Sequence, residues 1–199
     1  MAVYVTGDTH GDFRQIGDFC SVMGTKRDDV MIVLGDAGLN YFGDERDIAR
    51  KTGVSRTRMT YLMIHGNHEM RPATVDRYRR VQWNGGMVYQ EERFSNLLLV
   101  KDGELYRLGG KDVLAIGGAY SVDKEYRLRM GYRWFSDEQP SDEIKEYVEQ
   151  QLDKTGWKVD AVLSHTCPRK YEPVEHFMSG IDQSKVLISI YICNKRLHP

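Results

Sequence analysis

The chain has 199 residues, 41% of them hydrophobic and 29% charged, with a formal net charge of −1. Such a length can bury one substantial core, and the composition is that of an ordinary globular protein, neither disordered nor membrane-spanning. The near-balanced charge gives no electrostatic reason to expect nucleic acid or a membrane surface as the main partner.

The opening "MAVYVTGDTHG" has no basic region ahead of an apolar run, so it does not read as a secretory signal. No apolar run approaches the length of a membrane span. Cys20, Cys167 and Cys193 are widely spaced and form no C-x-x-C pattern. That argues against a disulfide framework or a cysteine zinc site, and makes a reducing cytoplasm the expected compartment.

Short apolar runs recur along the chain. "AVYV" (2–5) comes first, and "FRQIGDFCSVMG" (13–24) follows with Phe13, Ile16, Phe19, Cys20 and Met23 at helical spacing and Gly24 able to close the helix. "VMIVL" (30–34) completes a strand, helix, strand unit. "ERDIARKTGVSRTR" (45–58) reads as a further helix before a strand at "MTYLMI" (59–64). Continuous rather than alternating apolar character fits strands covered on both faces. From 81 to 118, turn signals at "NGG" (84–86) and "KDG" (101–103) predict an antiparallel meander ending in "DVLAIGG" (112–118). "SDEIKEYVEQQLDKT" (141–155) predicts a helix with acidic residues in its first turn, and "VDAVLS" (159–164) predicts a last strand. Strand-helix alternation around a meander implies mixed α/β layers in a single domain spanning 1–199, with an atypical segment from about 186.

Polar residues able to hold a metal stand where the strand candidates end. Asp8 and His10 follow the first, Asp36 the second, Asn67 and His68 the third, and His165 the last. Each alone has a plainer reading, because Gly-Asp and Asn-rich turns are common where strands stop and a single histidine is often structural. Strand carboxyl ends of open α/β sheets form the ligand crevice, so residues distant in sequence can converge there. Carboxylates and imidazoles suit divalent ions such as manganese, iron or zinc, and a pair of such ions can clamp a phosphoryl group and lower the pKa of a bound water.

The order "GDTHG", "GDAG", "GNHE" and then a strand-ending His165 resembles the calcineurin-like metallophosphoesterase family over about residues 3–168. The resemblance implies a four-layer α-β-β-α sandwich of two mixed sheets flanked by helices. It also implies a phosphoesterase using a metal-bound hydroxide at a dinuclear site. Two divalent ions are implied, manganese first, with iron, zinc or nickel as alternatives; Asp8, His10 and Asp36 would hold one, and Asp36, Asn67 and His165 the other. His68 would face the leaving-group oxygen as catalytic proton donor. The expected partner is a phosphate-ester substrate, not a membrane.

The resemblance departs at two places. Family members often orient the catalytic histidine with an aspartate three residues after the bridging one, and here that position is Leu39. A late Gly-His-x-His turn normally adds one imidazole to each metal; after His165 this chain has only His176 and His198, and it ends in "SKVLISIYICNKRLHP". Truncation or a changed reading frame after Lys185 is the expected cause. A site short of ligands favours, as the alternative function, a phosphoesterase-like binding or regulatory protein with weak metal occupancy. Asp12 reads as a helix cap, Glu69 has no assigned role, and Arg71, Arg77, Arg79, Arg80, Arg127, Arg129 and Arg133 are either candidates to reach substrate phosphates or members of a solvated face.

Overall fold

In the computed structural model of the chain, residues 1–167 are described. The segment from about 186, the apolar run "VLISIYI", Cys193, His176 and His198 lie outside the described residues. The apolar runs at the start of the chain form strands β1 (Val3–Thr6), β2 (Val30–Val33) and β3 (Thr60–Met63), in parallel with Thr6 beside Val33 and Val33 beside Met63. β4 (Arg79–Trp83), β5 (Gly86–Gln90) and β6 (Leu97–Val100) extend the same sheet in the order β1-β2-β3-β6-β5-β4, with β6 parallel to β3 and β5 antiparallel to both its neighbours. A second sheet holds β7 (Leu105–Leu108), β8 (Lys111–Ile116) and β9 (Ala161–Ser164), antiparallel and then parallel.

The expected meander is therefore divided. Its first part, β4 to β6, is antiparallel around the Asn84–Gly85 turn, whereas the turn at Asp102–Gly103 carries the chain from one sheet to the other. Asp102 accounts for the break. Its carboxylate accepts the Gly117 amide at 2.6 Å and pairs with the buried Arg71 guanidinium, which also donates to Asp137 O at 2.7 Å.

Why the strands read as unbroken apolar runs is visible in their two faces. Met31, Val33, Tyr61, Met63, Leu97 and Leu99 point to one side, against Ile16 and Cys20 of helix α1 (Arg14–Met23) and Val54 of helix α2 (Glu45–Ser55). Val30, Ile32, Leu62, Ile64, Leu98 and Val100 point to the other, against Tyr106, Leu108, Val113 and Ala115 of the second sheet. The outer face of that sheet is covered by Val148 and Leu152 of helix α4 (Asp142–Lys154), which pack on Leu114 and Ile116. The four layers α-β-β-α follow from these three clusters. Each fully buried apolar side chain contributes about 1.5–3 kcal/mol relative to exposure, so the central strands anchor whatever their ends carry.

Helix α1 ends as its sequence implied, with Gly24 in the left-handed region at φ 60°. Asp12 serves this helix: its Oδ1 accepts the Arg14 amide at 3.1 Å, although Phe13 occupies the cap position itself. A short helix, α3 (Lys124–Arg129), falls in a stretch without apolar periodicity and was not anticipated. No helix among the described residues is long and apolar enough to cross a membrane.

Candidate metal centre

The parallel register brings the ends of β1, β2 and β3 to one edge, and the loops leaving them are laced together. The His10 amide donates to Asp36 O at 2.8 Å and the Gly11 amide to Ala37 O at 2.9 Å, while Thr9 Oγ1 donates to Ala37 O at 3.0 Å. His10 and Asp36 both adopt positive φ, 47° and 45°, a conformation that turns each side chain back over the strand ends. Gly66 is demanded by contact rather than by its torsion: a Cβ there would lie 2.0 Å from Asp36 Oδ1 and 2.2 Å from the Asp36 amide nitrogen.

All five expected ligands converge. Asp36, buried to 2% exposure, is at the middle. His10 Nε2 is 3.8 Å from Asp8 Oδ2 and 3.9 Å from Asp36 Oδ2. From the second sheet, His165 brings Nδ1 to 3.7 Å from Asp8 Oδ1 and Nε2 to 3.8 Å from Asp36 Oδ2, with Asn67 Oδ1 2.9 Å from the same nitrogen. Two groups have ligand atoms all within 4.8 Å of one another: Asp8, Asp36 and His165, and His10, Asp36 and His68. Asp8 stands between the two groups, 3.7 Å from His165 and 3.8 Å from His10.

The donor set suits a cation. His165 faces oxygen on both ring nitrogens, Leu34 O at 2.7 Å and Asn67 Oδ1 at 2.9 Å, with two carboxylates beyond, so negative and dipolar oxygen atoms crowd one point. Burial alone would raise the Asp36 carboxyl, but the hydrogen bond with His68 and the nearby His165 outweigh it and hold the group at about 2. Asp36 is thus a buried carboxylate whose pKa is held low, with three imidazoles around it, the chemistry of a divalent-metal ligand set.

A model of the family described as calcineurin-like phosphoesterase matches residues 1–179. The chain belongs to this family. No curated protein matches it. Membership carries metal-dependent phosphoester hydrolysis as the family's chemistry and agrees with the two mixed sheets and their flanking helices.

In this calcineurin-like phosphoesterase, His68 stands between two carboxylates. Its amide donates to Asp36 Oδ1 at 2.9 Å, its Nδ1 is 3.2 Å from Asp36 Oδ2, and its Nε2 is 3.5 Å from Asp123 Oδ1. The hydrogen bond to Asp36 raises the imidazole pKa against the effect of burial, and Asp123 adds to the rise. Leu39, three residues after Asp36, is buried in the core. Asp123 approaches His68 from the loop before α3.

Several groups that support the site carried no signal in the sequence. Asn67 Nδ2 donates to Ser121 Oγ at 2.9 Å, and Glu138, which is buried, accepts from Ser121 and from Trp134 Nε1 at 2.8 Å. This network fixes the Asn67 amide so that its oxygen faces His165. Glu69 is wholly buried, and burial followed by the Asp36 charge raises it to about 8, against the pull of the Gly66, Ala37 and Gly38 amides. It links the loop after β2 to the loop after β3. His65 is also buried, and the desolvation of its ring pushes its pKa well down, so it is neutral.

Beside His10 and His68 the surface opens into a cleft of about 310 Å³, whose walls include Tyr41, Arg50, Arg127 and Tyr132. Of the arginines singled out from sequence, only Arg127 lines this cleft; Arg71 is committed to Asp102, Arg79 to Glu92, and Arg133 to Phe42 O. Arg50, on α2, was missed because nothing in its local pattern distinguishes it from a solvated helix residue.

Proposed function

We propose that this chain is a metal-dependent phosphoesterase that hydrolyses phosphomonoesters or phosphodiesters at a dinuclear centre. The observation that supports it most is the buried, charged Asp36, with ligand-type nitrogens of His10, His68 and His165 within 4 Å of its Oδ2. Asp8 and His10 would hold one divalent ion and Asn67 and His165 the other, with Asp36 shared. Manganese is the first candidate, with iron, zinc or nickel as alternatives. Such ions supply Lewis acidity and a water of lowered pKa.

The chain's own residues account for the rest. His68, whose pKa is raised by its hydrogen bond to Asp36, delivers a proton to the leaving-group oxygen, a role that contributes on the order of 10² to 10⁴ in rate. Asn67 is locked by Ser121 and Glu138, so its amide oxygen is presented without a search among rotamers. The partner on this reading is a phosphate ester rather than a membrane surface, and the protein works in a reducing cytoplasm.

Turnover of 4-nitrophenyl phosphate and of bis-(4-nitrophenyl) phosphate with added Mn²⁺ tests the proposal. The wild-type protein is expected to release nitrophenolate from at least one of them, and His68→Ala to lose about 10²-fold or more. A folded wild-type protein no more active than Asp36→Asn would support the alternative, a phosphoesterase-like binding or regulatory protein.

A further inference from the structure

The cleft beside His10 and His68 has a charge and a surface that the hydrolytic centre does not use. Two guanidinium groups reach it, and they are not equivalent. Arg127 is nearly buried, donates to Arg133 O at 2.7 and 2.9 Å, and lies 3.7 Å from Asp123, so its charge is already answered. Arg50 donates one hydrogen bond to Gly38 O at 2.9 Å, and its guanidinium packs on the metal-side loop, where a Cβ at Gly11 would stand 3.0 Å from its Cζ. Among the described residues no carboxylate pairs with it. A cation held by a carbonyl, half-buried and without a counter-charge, is suited to an incoming anion.

The opposite feature of the cleft is aromatic. Tyr132 lines it with 51% of its surface exposed, and Tyr126 stands behind at 53% exposure, the ring centroids 6.2 Å apart and inclined at 57°. The tilted contact braces the Tyr132 ring while leaving most of it open to solvent. An exposed, braced ring a short way from a catalytic histidine offers a stacking face for a second flat ring.

We propose that the substrate is a phosphate ester bearing a flat aromatic group, with its phosphate paired to Arg50 and its ring stacked on Tyr132. The inference rests on the phosphoesterase reading for the position of the phosphate. It adds that the cleft selects aryl or nucleobase esters over alkyl ones. In hydrolysis of a diester, water forms the new bond to phosphorus, the bond to the leaving oxygen breaks with its electron pair, and the proton balance is met through His68 and solvent.

Equilibrium binding separates this claim from turnover. Phenylphosphonate and methylphosphonate carry the same anionic head and cannot be hydrolysed as esters. The Mn²⁺-loaded wild type is expected to bind the phenyl compound about tenfold more tightly. Tyr132→Ala should bring the ratio to about twofold or less, Tyr132→Phe should keep it, and Arg50→Ala should weaken both ligands by similar factors. Equal binding by the wild type, no binding of either, or a ratio that survives in Tyr132→Ala would overturn the proposal. If the ratio behaves as expected but no ester is turned over, the phosphoesterase reading fails, and what stands is a cleft that binds aromatic phosphates as ligands through Arg50 and Tyr132. A thymidine 5′-phosphonate titrated in the same way distinguishes a nucleobase from a simple aryl group: whichever aromatic ligand binds more tightly names the group, and if neither exceeds methylphosphonate the proposal is wrong.

Discussion

Asp123 Oδ1 lies 3.5 Å from Nε2 of His68, on the opposite side of the ring from Asp36. His68 therefore has a second carboxylate neighbour, although the position three residues after Asp36 is Leu39 and is buried in the core. The carboxylate arrives from a distant loop, and Arg127, 3.7 Å from its other oxygen, steadies it.

If Asp123 orients His68, Asp123→Asn should lower kcat about tenfold while changing KM little, because an amide keeps the shape and loses the charge. Steady-state kinetics on bis-(4-nitrophenyl) phosphate measures both constants. An unchanged kcat would mean that Asp36 alone sets the ring.

Glu69 makes stability depend on pH in a particular direction. Its folded pKa, raised to about 8, exceeds the ordinary glutamate value of 4.5, so the native state holds the proton more tightly than the unfolded chain. The contribution is fully present below about pH 4.5 and is lost as pH rises through about 8. In chelator-treated protein, the stability difference between wild type and Glu69→Gln, measured by urea unfolding, should move against the wild type from pH 5 to pH 9. A difference that is flat across this range would show that Glu69 is ionised in the fold.

Gly66→Ala places a methyl group 2.0 Å from a carboxylate oxygen of Asp36 and 2.2 Å from its backbone nitrogen, and the backbone atom cannot swing aside. The loops after β2 and β3 must separate to admit it. A loss of about 3 kcal/mol or more in unfolding free energy is expected, together with weakened Mn²⁺ binding. Gly53→Ala, in α2 with open space around its Cβ position, should be neutral or stabilising by comparison.

The strands and the polar residues at their ends were legible for one physical reason. Runs such as "VMIV" and "TYLM" are buried on both faces, so they show unbroken apolar character, and the polar residues that follow them stand out by contrast. The passage of the chain between sheets at Asp102 was not legible, since the turn "KDG" looks the same whether the next strand pairs with the last or leaves it. Arg71 depends on a partner distant in sequence, and so it looked like one more surface cation. Ser121, Asp123 and Glu138 sit in a segment without periodicity, where only the folded chain brings them to Asn67 and His68. Arg50 likewise takes its meaning from Gly11 and Gly38, which it meets only after α2 packs on the sheet.

Metal add-back shows whether the strand ends form a metal-dependent hydrolytic centre around Asp36. After removal of metal with a chelator, nitrophenolate release from bis-(4-nitrophenyl) phosphate is followed as Mn²⁺ is titrated into wild type and into Asp36→Asn, with folding of both checked by circular dichroism. No turnover is expected before addition, with saturable recovery in the wild type and none in Asp36→Asn. Turnover that persists without metal, or that recovers equally in Asp36→Asn, would contradict a metal-dependent centre around Asp36.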